Sequence, residues 1–238
     1  VIRLKWSWGY NGQTTGSPYQ AITTYKYSNS NIYYTGVGTV PIRMGNPELK
    51  WQRVLKNNFG INLTLFKERL VLSFDYFRTQ FYNQVVADQE YSATEVMFYN
   101  TDGRSYTDTY QVDFNWTPVE RLDIFATFRY TDSEMTIRRA DGGTARVERP
   151  LVSQYKTLLN IQYATKFRRW VFDATAQLNG PARIPTQTGD LDDSYYSPKY
   201  PVFFAQVSRK IKKLDLYLGC ENIGNYKQEH PILAADQP

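Results

Sequence analysis

Hydrophobic and polar residues alternate with a period of two along most of the chain, a pattern typical of β-strands that have one apolar face. The alternation predicts strands over residues 70–77, 110–117, 122–130, 170–179 and 214–222, and more weakly over 1–8, 59–66, 155–164 and 202–211. No segment shows a convincing helical period. The sequence therefore predicts an all-β protein with about nine strands.

The connections between the predicted strands alternate in length. The short and charged ones are residues 67–69, 118–121, 166–169 and 212–213, and the long ones are 9–48, 83–105 and 180–199. The turn Asp141-Gly142-Gly143 closes a shorter connection and predicts a β-hairpin. Alternating tight turns and long loops are typical of transmembrane β-barrels, because the two ends of such a barrel face different compartments.

The two faces of the predicted strands differ in polarity. One face carries apolar side chains over about ten residues, which is the strand length that crosses a bilayer. The other face carries acids and amides, namely Asp75, Asp113, Asn115, Asp173, Gln177 and Asp215. In a membrane barrel the apolar face would contact lipid and these six residues would line the lumen. In a soluble sandwich the apolar face would form the core instead.

Two tryptophans help to choose between these architectures. Trp116 and Trp170 lie at strand ends beside short connections. Membrane barrels place girdles of aromatic residues at such interfacial positions, whereas in a soluble sheet the same residues would lie on its rim. We favour the transmembrane barrel because a polar lumen and an aromatic girdle are predicted together.

The composition excludes several other classes of protein. The mean hydropathy is −0.54, and no stretch approaches the ~20 apolar residues that a transmembrane helix needs. A disulfide framework within the chain is excluded because Cys220 is the only cysteine. His230 is the only histidine, so a histidine-based zinc site or catalytic triad is not expected. The net charge of +5 is spread along the chain, and no nucleic-acid partner is expected.

Three segments carry a family resemblance. Residues 46–52, NPELKWQ, open a strand after a long loop and resemble an element in the barrels of TonB-dependent transporters, particularly the SusC-like group. Residues 221–228, ENIGNYKQ, resemble a segment near the C-terminus of these barrels, and residues 3–12, RLKWSWGYNG, are similar to another of their strands. Gln52 departs from the pattern, which often has an acid there.

The resemblance implies an antiparallel up-and-down transmembrane β-barrel of roughly 22 strands with a plug in its lumen. About nine strands cannot close such a ring. We therefore expect residues 1–238 to be a partial barrel domain, the C-terminal half without its final strand. The plug, the TonB box and the missing strands would belong to a longer protein.

The same resemblance implies active nutrient import across the outer membrane of a Gram-negative bacterium, driven by the TonB complex through the missing N-terminal part. The cargo would be a glycan or peptide in a SusC-like protein, with a SusD-like surface lipoprotein as partner, or otherwise a siderophore, haem or cobalamin. Outer-membrane lipid is an expected partner, and neither catalysis nor a cofactor is expected. A non-transporting outer-membrane barrel for assembly or adhesion and a soluble carbohydrate-binding β-sandwich remain alternatives.

Candidate functional residues lie on the polar face and in the loops. The six polar residues are expected to contact the plug, because several lie near the short-turn end. An extracellular loop could bind a ligand or partner through its aromatic rings, although mutual packing is the simpler interpretation. These loop candidates are Tyr19, Tyr25, Tyr27, Tyr33 and Tyr34.

Two charged loops have simple interpretations. The 189–194 loop contains Asp190, Asp192 and Asp193, which could bind calcium, but their spacing fails the EF-hand pattern and a solvated loop is simpler. Four arginines around the Asp141-Gly142-Gly143 turn could bind lipopolysaccharide phosphates, although an exposed hairpin tip is the simpler interpretation. They are Arg138, Arg139, Arg146 and Arg149.

Overall fold

A computed structural model of the chain describes residues 1–13, 22–33, 36–88, 96–101, 103–138, 143–184 and 195–227. The strands are β1 Ile2–Gln13, β2 Thr24–Tyr33, β3 Gly36–Met44, β4 Gln52–Leu65, β5 Leu70–Tyr82, β6 Val85–Asp88, β7 Val96–Asn100, β8 Arg104–Val119, β9 Leu122–Arg138, β10 Thr144–Glu148, β11 Tyr155–Ala164, β12 Trp170–Asn179, β13 Arg183–Ile184, β14 Tyr195–Tyr196, β15 Tyr200–Ile211 and β16 Leu214–Cys220. Within these described ranges the one helical element is a 3₁₀ turn at Lys166–Arg168, and no helix there is long and apolar enough to cross a membrane.

The long strands form one antiparallel sheet in the order β1-β4-β5-β8-β9-β11-β12-β15-β16. The long strand β9 has two partners on one side, since β10 pairs with residues 134–138 and β11 with residues 122–130. β10 and β11 therefore share one position, and the sheet has nine positions. This confirms the predicted all-β, up-and-down architecture with about nine strands.

The register shifts steadily across this sheet, as it must where tilted strands form a barrel wall. The row of paired residues that begins beside the first short turn runs through Leu65, Leu70, Trp116, Ile124, Ile161, Ala174, Ala205 and Cys220. At β15 this row lies six residues before Ile211, where that strand ends at the last short turn. The first and last short turns therefore lie in different rows of paired residues. This displacement is the stagger of a barrel wall. In the described residues β1 and β16 do not pair with each other, so this sheet is an open segment.

The four predicted short connections are tight turns at one end of the sheet. Each contains at least one residue in the left-handed region, such as Lys67 with φ 55°, Arg121 with φ 75°, Phe167 with φ 61° and Lys212 with φ 54°. A positive φ lets the chain reverse within a few residues. The turns therefore join consecutive long strands directly at this end of the sheet.

The apolar faces of the strands form one continuous surface. Paired residues of neighbouring strands point to the same side, so the apolar side chains of β5 lie beside those of β4 and β8. The side chains on this surface stay open, with Phe74 38% exposed, Leu159 40% and Phe128 45%. A soluble sandwich would bury them under a second sheet. That alternative is wrong, and we call this surface the lipid-facing side.

Aromatic girdles border the lipid-facing side. Towards the long loops Tyr76, Tyr110 and Tyr130 lie side by side on β5, β8 and β9, with ring centroids 4.9 and 6.4 Å apart. Beside the short turns Trp116 and Trp170 lie on the same side, as the sequence predicted. Indole and phenol rings favour membrane interfaces because they are apolar with one polar group.

The long connections contain strands of their own. β1 extends to Gln13 and β8 begins at Arg104, so the connections are shorter than predicted, and they contribute a four-stranded sheet in the order β2-β3-β7-β6. Asn46 Nδ2 donates to the Phe98 carbonyl at 3.0 Å, and Asn100 exchanges bonds of 2.7 and 2.8 Å with the Lys50 backbone. The family-like segment 46–52 therefore ties the two long connections together.

The pairing of β9 with β10 confirms the predicted hairpin, whereas the turn residues Asp141 and Gly142 lie outside the described residues. Arg149 does not belong to an exposed tip, because its guanidinium lies over the Phe81 ring at 4.8 Å. Desolvation by burial lowers the pKa of this arginine. The Arg139 position and the Arg138 side chain lie outside the described part of the chain.

A glycine makes room for an ion pair on the polar face. Lys5 and Asp75 each pair with Gly60 from opposite sides, and their side chains meet above it with Lys5 Nζ 2.9 Å from Asp75 Oδ1. A Cβ atom at Gly60 would overlap Asp75 Oδ1 and lie 2.8 Å from Lys5 Cε. Gly60 is therefore required by this close approach and not by its backbone conformation.

We predict that Phe74→Arg impairs insertion of the complete protein into the outer membrane. An arginine on the lipid-facing side costs about 2–4 kcal/mol near the bilayer midplane. The measurement is the folded, heat-modifiable fraction in purified outer membranes. Ser73→Arg, one residue away on the polar face, is the matched control and should insert nearly normally. Equal insertion of the two variants would show that the faces are assigned wrongly.

We also predict that Gly60→Val destabilises the folded barrel by about 1–3 kcal/mol, because the new side chain must displace the ion pair. The readout is the temperature at which the complete protein loses its folded form on SDS gels. Gly9→Val is the control, since Gly9 also lies on the polar face but has no atom within 4 Å of a Cβ at that position. If both variants melt together, the steric argument for Gly60 fails.

Candidate functional site on the polar face of the sheet

The six polar residues predicted to line a lumen all lie on the side of the sheet opposite the apolar surface. Asp75 follows Phe74 in β5, Asp173 follows Phe172 in β12, and the alternation holds at the other positions. Gln177 is near the long-loop end of β12, and Asp215 is the second residue of β16. We call this side the lumen-facing wall.

Asp75 and Asp113 belong to one polar strip across β1, β4, β5 and β8. Asp75 is paired with Lys5 and lies opposite Gln111 in the register. Gln111 Nε2 donates to both carboxylate oxygens of Asp113, at 3.1 and 3.0 Å. Asn62, in the neighbouring row, has a buried Oδ1 atom that finds no hydrogen-bond partner among the described residues. Neighbouring side chains thus hold Asp75 and Asp113 in place, and Asn62 keeps an acceptor available.

Asp173 is the centre of a second polar cluster, on β11 and β12. Its Oδ1 accepts from Asn160 Nδ2 at 3.0 Å and from Thr175 Oγ1 at 3.5 Å, while its Oδ2 accepts from Gln162 Nε2 at 3.4 Å. Sequence reasoning missed Asn160 and Gln162. Their strand alternates weakly because Leu158 interrupts the polar face, although Asn160 and Gln162 do alternate with Leu159 and Ile161.

The remaining predicted residues stand apart from these clusters. Gln177 shares a row with Asp113, but Thr127 and Leu158 separate them. Gln177 Nε2 donates instead to Asn179 Oδ1 at 2.8 Å. Asn115 and Asp215 are exposed, and Asp215 lies on β16 opposite Lys210. The structure therefore brings the six residues onto one wall but not into one site.

The chemistry of the wall is that of recognition by hydrogen bonds. Carboxylates that accept one or two amide protons retain lone pairs for further donors. Across the described ranges no group of three or more His, Cys, Asp or Glu side chains is placed to hold a metal ion. The 189–194 loop with Asp190, Asp192 and Asp193 lies outside those ranges.

Two of the five loop tyrosines have side chains in the described part of the chain. Tyr25 and Tyr27 lie on β2, at the edge of the small sheet, and are 62% and 80% exposed. The rings of these two residues are therefore open to contact, and a role for the loop tyrosines in binding stays a prediction. Tyr19, Tyr34 and the side chain of Tyr33 lie outside the described residues.

A polar cluster that sequence reasoning missed joins the shorter connection that contains β10 to the long connection 180–199. Arg183, which is buried, donates from Nη1 to the Glu148 carbonyl at 3.2 Å. Gln154 donates to the Glu148 carboxylate at 3.5 Å. Burial, followed by the hydrogen bond with Glu148, raises the pKa of Tyr196. No motif marks these residues, because they are far apart in the sequence and only the fold brings them together.

Known proteins share both the sequence pattern and the fold. Residues 1–223 match the family described as TonB dependent receptor-like, beta-barrel. The TonB-dependent receptor P39 of Formosa agariphila is 33% identical over 76 residues, which are 32% of this chain and 7% of that protein. The chain therefore spans only a small part of this relative.

Solved structures agree on the fold at low sequence identity. The siderophore receptor PirA from Pseudomonas aeruginosa aligns with a TM-score of 0.63 at 14% identity, covering 96% of this chain and 37% of that one. The copper transporter OprC aligns with a TM-score of 0.68 at 11% identity, covering 94% and 31%. A mutant ferric enterobactin receptor, PfeA, from Pseudomonas aeruginosa aligns with a TM-score of 0.66 at 15% identity, covering 93% and 33%.

The family match covers nearly all of the 238 residues and agrees with a staggered antiparallel sheet that has one apolar and one polar face. The resemblance to this family is confirmed, whereas the SusC-like subgroup stays a prediction. The chain is an outer-membrane β-barrel segment of a Gram-negative bacterium, and it belongs to the TonB-dependent receptor family.

Proposed function

We propose that the complete protein imports a scarce nutrient across the outer membrane, with energy delivered by the TonB complex through a part outside this chain. The observation that carries this proposal is the lumen-facing wall of a family barrel, whose polar side chains retain unused hydrogen-bond acceptors. The family consists of transporters and not of enzymes. No catalytic residue is therefore assigned.

The lumen-facing wall is proposed to hold a plug domain. Asp75, Asp113 and Asp173 lie in the half of their strands nearest the short turns, and they are held by neighbouring side chains. Fixed carboxylates of this kind can receive donors from a plug without reorganising, which favours a specific seat. Asn115, Gln177 and Asp215 would extend the same contact surface.

The long-loop end is proposed to face the cell exterior and to receive cargo. Exposed Tyr25 and Tyr27 offer aromatic surface for a ligand or for a surface lipoprotein of the SusD-like kind. The structural neighbours named above handle siderophores and copper. At their low identity they support only the general class of nutrient import, so the cargo of this protein could equally be a glycan, peptide, haem or cobalamin.

The proposal is tested by thiol labelling in living cells with a membrane-impermeant maleimide. The complete protein, with Cys220→Ser to remove its exposed thiol, would carry Asp173→Cys on the lumen-facing wall. We expect slow labelling while the plug is seated and rapid labelling after deletion of the plug. In the intact protein we expect labelling to rise with an energised TonB system and to fall when a protonophore is added.

Two neighbouring positions serve as controls. Phe172→Cys lies on the lipid-facing side and should stay unlabelled, whereas Tyr27→Cys on the small outer sheet should be labelled in every condition. Labelling of Asp173→Cys that ignores TonB and the protonophore would contradict transport and favour a non-transporting outer-membrane barrel. Labelling that ignores plug deletion would contradict the plug seat.

A further inference from the structure

A groove on the lipid-facing side lies beyond the tyrosine girdle, towards the long loops. It is an open cleft of about 380 Å³, lined mainly by Arg78, Gln80, Arg104, Tyr106, Thr136 and Arg146. Arg78 is two residues beyond Tyr76 on β5, and Tyr106 is four residues beyond Tyr110 on β8. Along β5 and β8 the side chains on the lipid-facing side therefore change from apolar to polar at the groove.

Three arginines from three strands converge in this groove. Arg78 and Arg146 lie against the Tyr106 ring, with their guanidinium carbons 5.8 and 5.5 Å from its centroid. Arg104 lies over the Tyr82 ring at 5.5 Å. Between Arg104 and Arg146 is Thr136, whose small side chain is buried. The aromatic rings orient the guanidinium groups, and Thr136 leaves space between them.

The arginines keep donors free although acids are close by. Arg78 pairs with Asp108 at 3.5 Å and Arg146 with Glu134 at 2.7 Å. Asp132 accepts from the Tyr106 hydroxyl at 3.2 Å. A guanidinium has five N–H donors, so one carboxylate leaves most of them available. Within the described chain Arg104 has no carboxylate at ion-pair distance, so no ion pair there occupies its N–H donors.

The groove extends outward from the polar edge of the bilayer, starting just beyond the tyrosine girdle. Four residues beyond the girdle correspond to roughly 13 Å along a strand and, at a tilt of about 40°, to roughly 10 Å along the membrane normal. The polar layer of a bilayer is roughly 5–8 Å thick on each side. The acids Asp108 and Asp132 lie nearer the girdle, and Arg104 lies further out. The groove thus begins within this layer at Arg78 and extends beyond it at Arg104, where the phosphorylated sugar headgroup of an outer-leaflet glycolipid would lie.

We propose that this groove binds the phosphate group of a glycolipid of the outer leaflet, with Arg104 and Arg146 as its main donors and Arg78 as a third. Guanidinium groups bind phosphate through paired N–H donors, which suits two arginines on either side of a small residue. The site differs from the lumen-facing wall in position and in ligand. It serves to fix the barrel wall to its surrounding lipid.

Native mass spectrometry of the complete protein in detergent tests this proposal, with bisphosphorylated lipid A as the probe. We expect the double variant Arg104→Gln/Arg146→Gln to weaken lipid binding at least about tenfold, because two charge-assisted hydrogen-bond sets are lost. Arg104→Lys/Arg146→Lys should keep part of the affinity, since phosphate also accepts a point charge. A purely structural role would not distinguish these two double variants.

Arg209→Gln is the matched control. Arg209 also lies on the lipid-facing side over an aromatic ring, 4.6 Å from the Trp170 centroid, but beside the short turns. This variant should bind within twofold of the wild type. The proposal is overturned if dephosphorylated lipid A binds as tightly as the phosphorylated form, or if the glutamine double variant binds normally. It is also overturned if inorganic phosphate alone displaces the lipid at equal concentration, because the site would then select free phosphate.

Discussion

A strand that crosses a bilayer must have its backbone groups paired within the protein, because hydrocarbon offers no hydrogen-bond partner. The antiparallel ladder from β1 to β16 meets this requirement, and its register stagger gives the tilt that a barrel needs. Once the ladder is fixed, every strand has one face towards lipid and one towards the lumen. The aromatic girdles and the polar strips follow from this single constraint.

Much of the architecture could be predicted because the period of a strand is two. In β16 the apolar Leu216 and the polar Asp215 point to opposite faces, as successive residues of a regular strand do. The short charged turns mark where the chain reverses. Other features depend on pairs of residues that are distant in sequence. Leu158 interrupts the polar face of β11 and so weakens its alternation. The partners of Asp173 could not be predicted, because they depend on the register between β11 and β12. Strands inside the long connections were missed because Asn46 and Asn100 stabilise them across those connections.

The two faces of the same strands carry different kinds of recognition. On the lumen-facing wall, amides hold carboxylates such as Asp113, and Gly60 gives space to the ion pair of Lys5 and Asp75. On the lipid-facing side, a row of tyrosines is followed by arginines that lie farther from the short turns. This gradient follows the change from hydrocarbon to headgroups, where burial no longer penalises a charge. On each face, charged side chains therefore lie where the proposed partner is polar, a plug domain on the lumen-facing wall and a lipid phosphate on the lipid-facing side.

The most direct test of this account is site-directed spin labelling along residues 170–179 of β12, in the complete protein with Cys220→Ser, after reconstitution into lipid. Accessibility to oxygen, which partitions into hydrocarbon, should alternate with a period of two and be highest at Phe172, Ala174 and Ala176. Asp173 and Thr175 should be the low positions. Labels that show no alternation, or an apolar face inaccessible to oxygen, would contradict a sheet with lipid on one side and a lumen on the other.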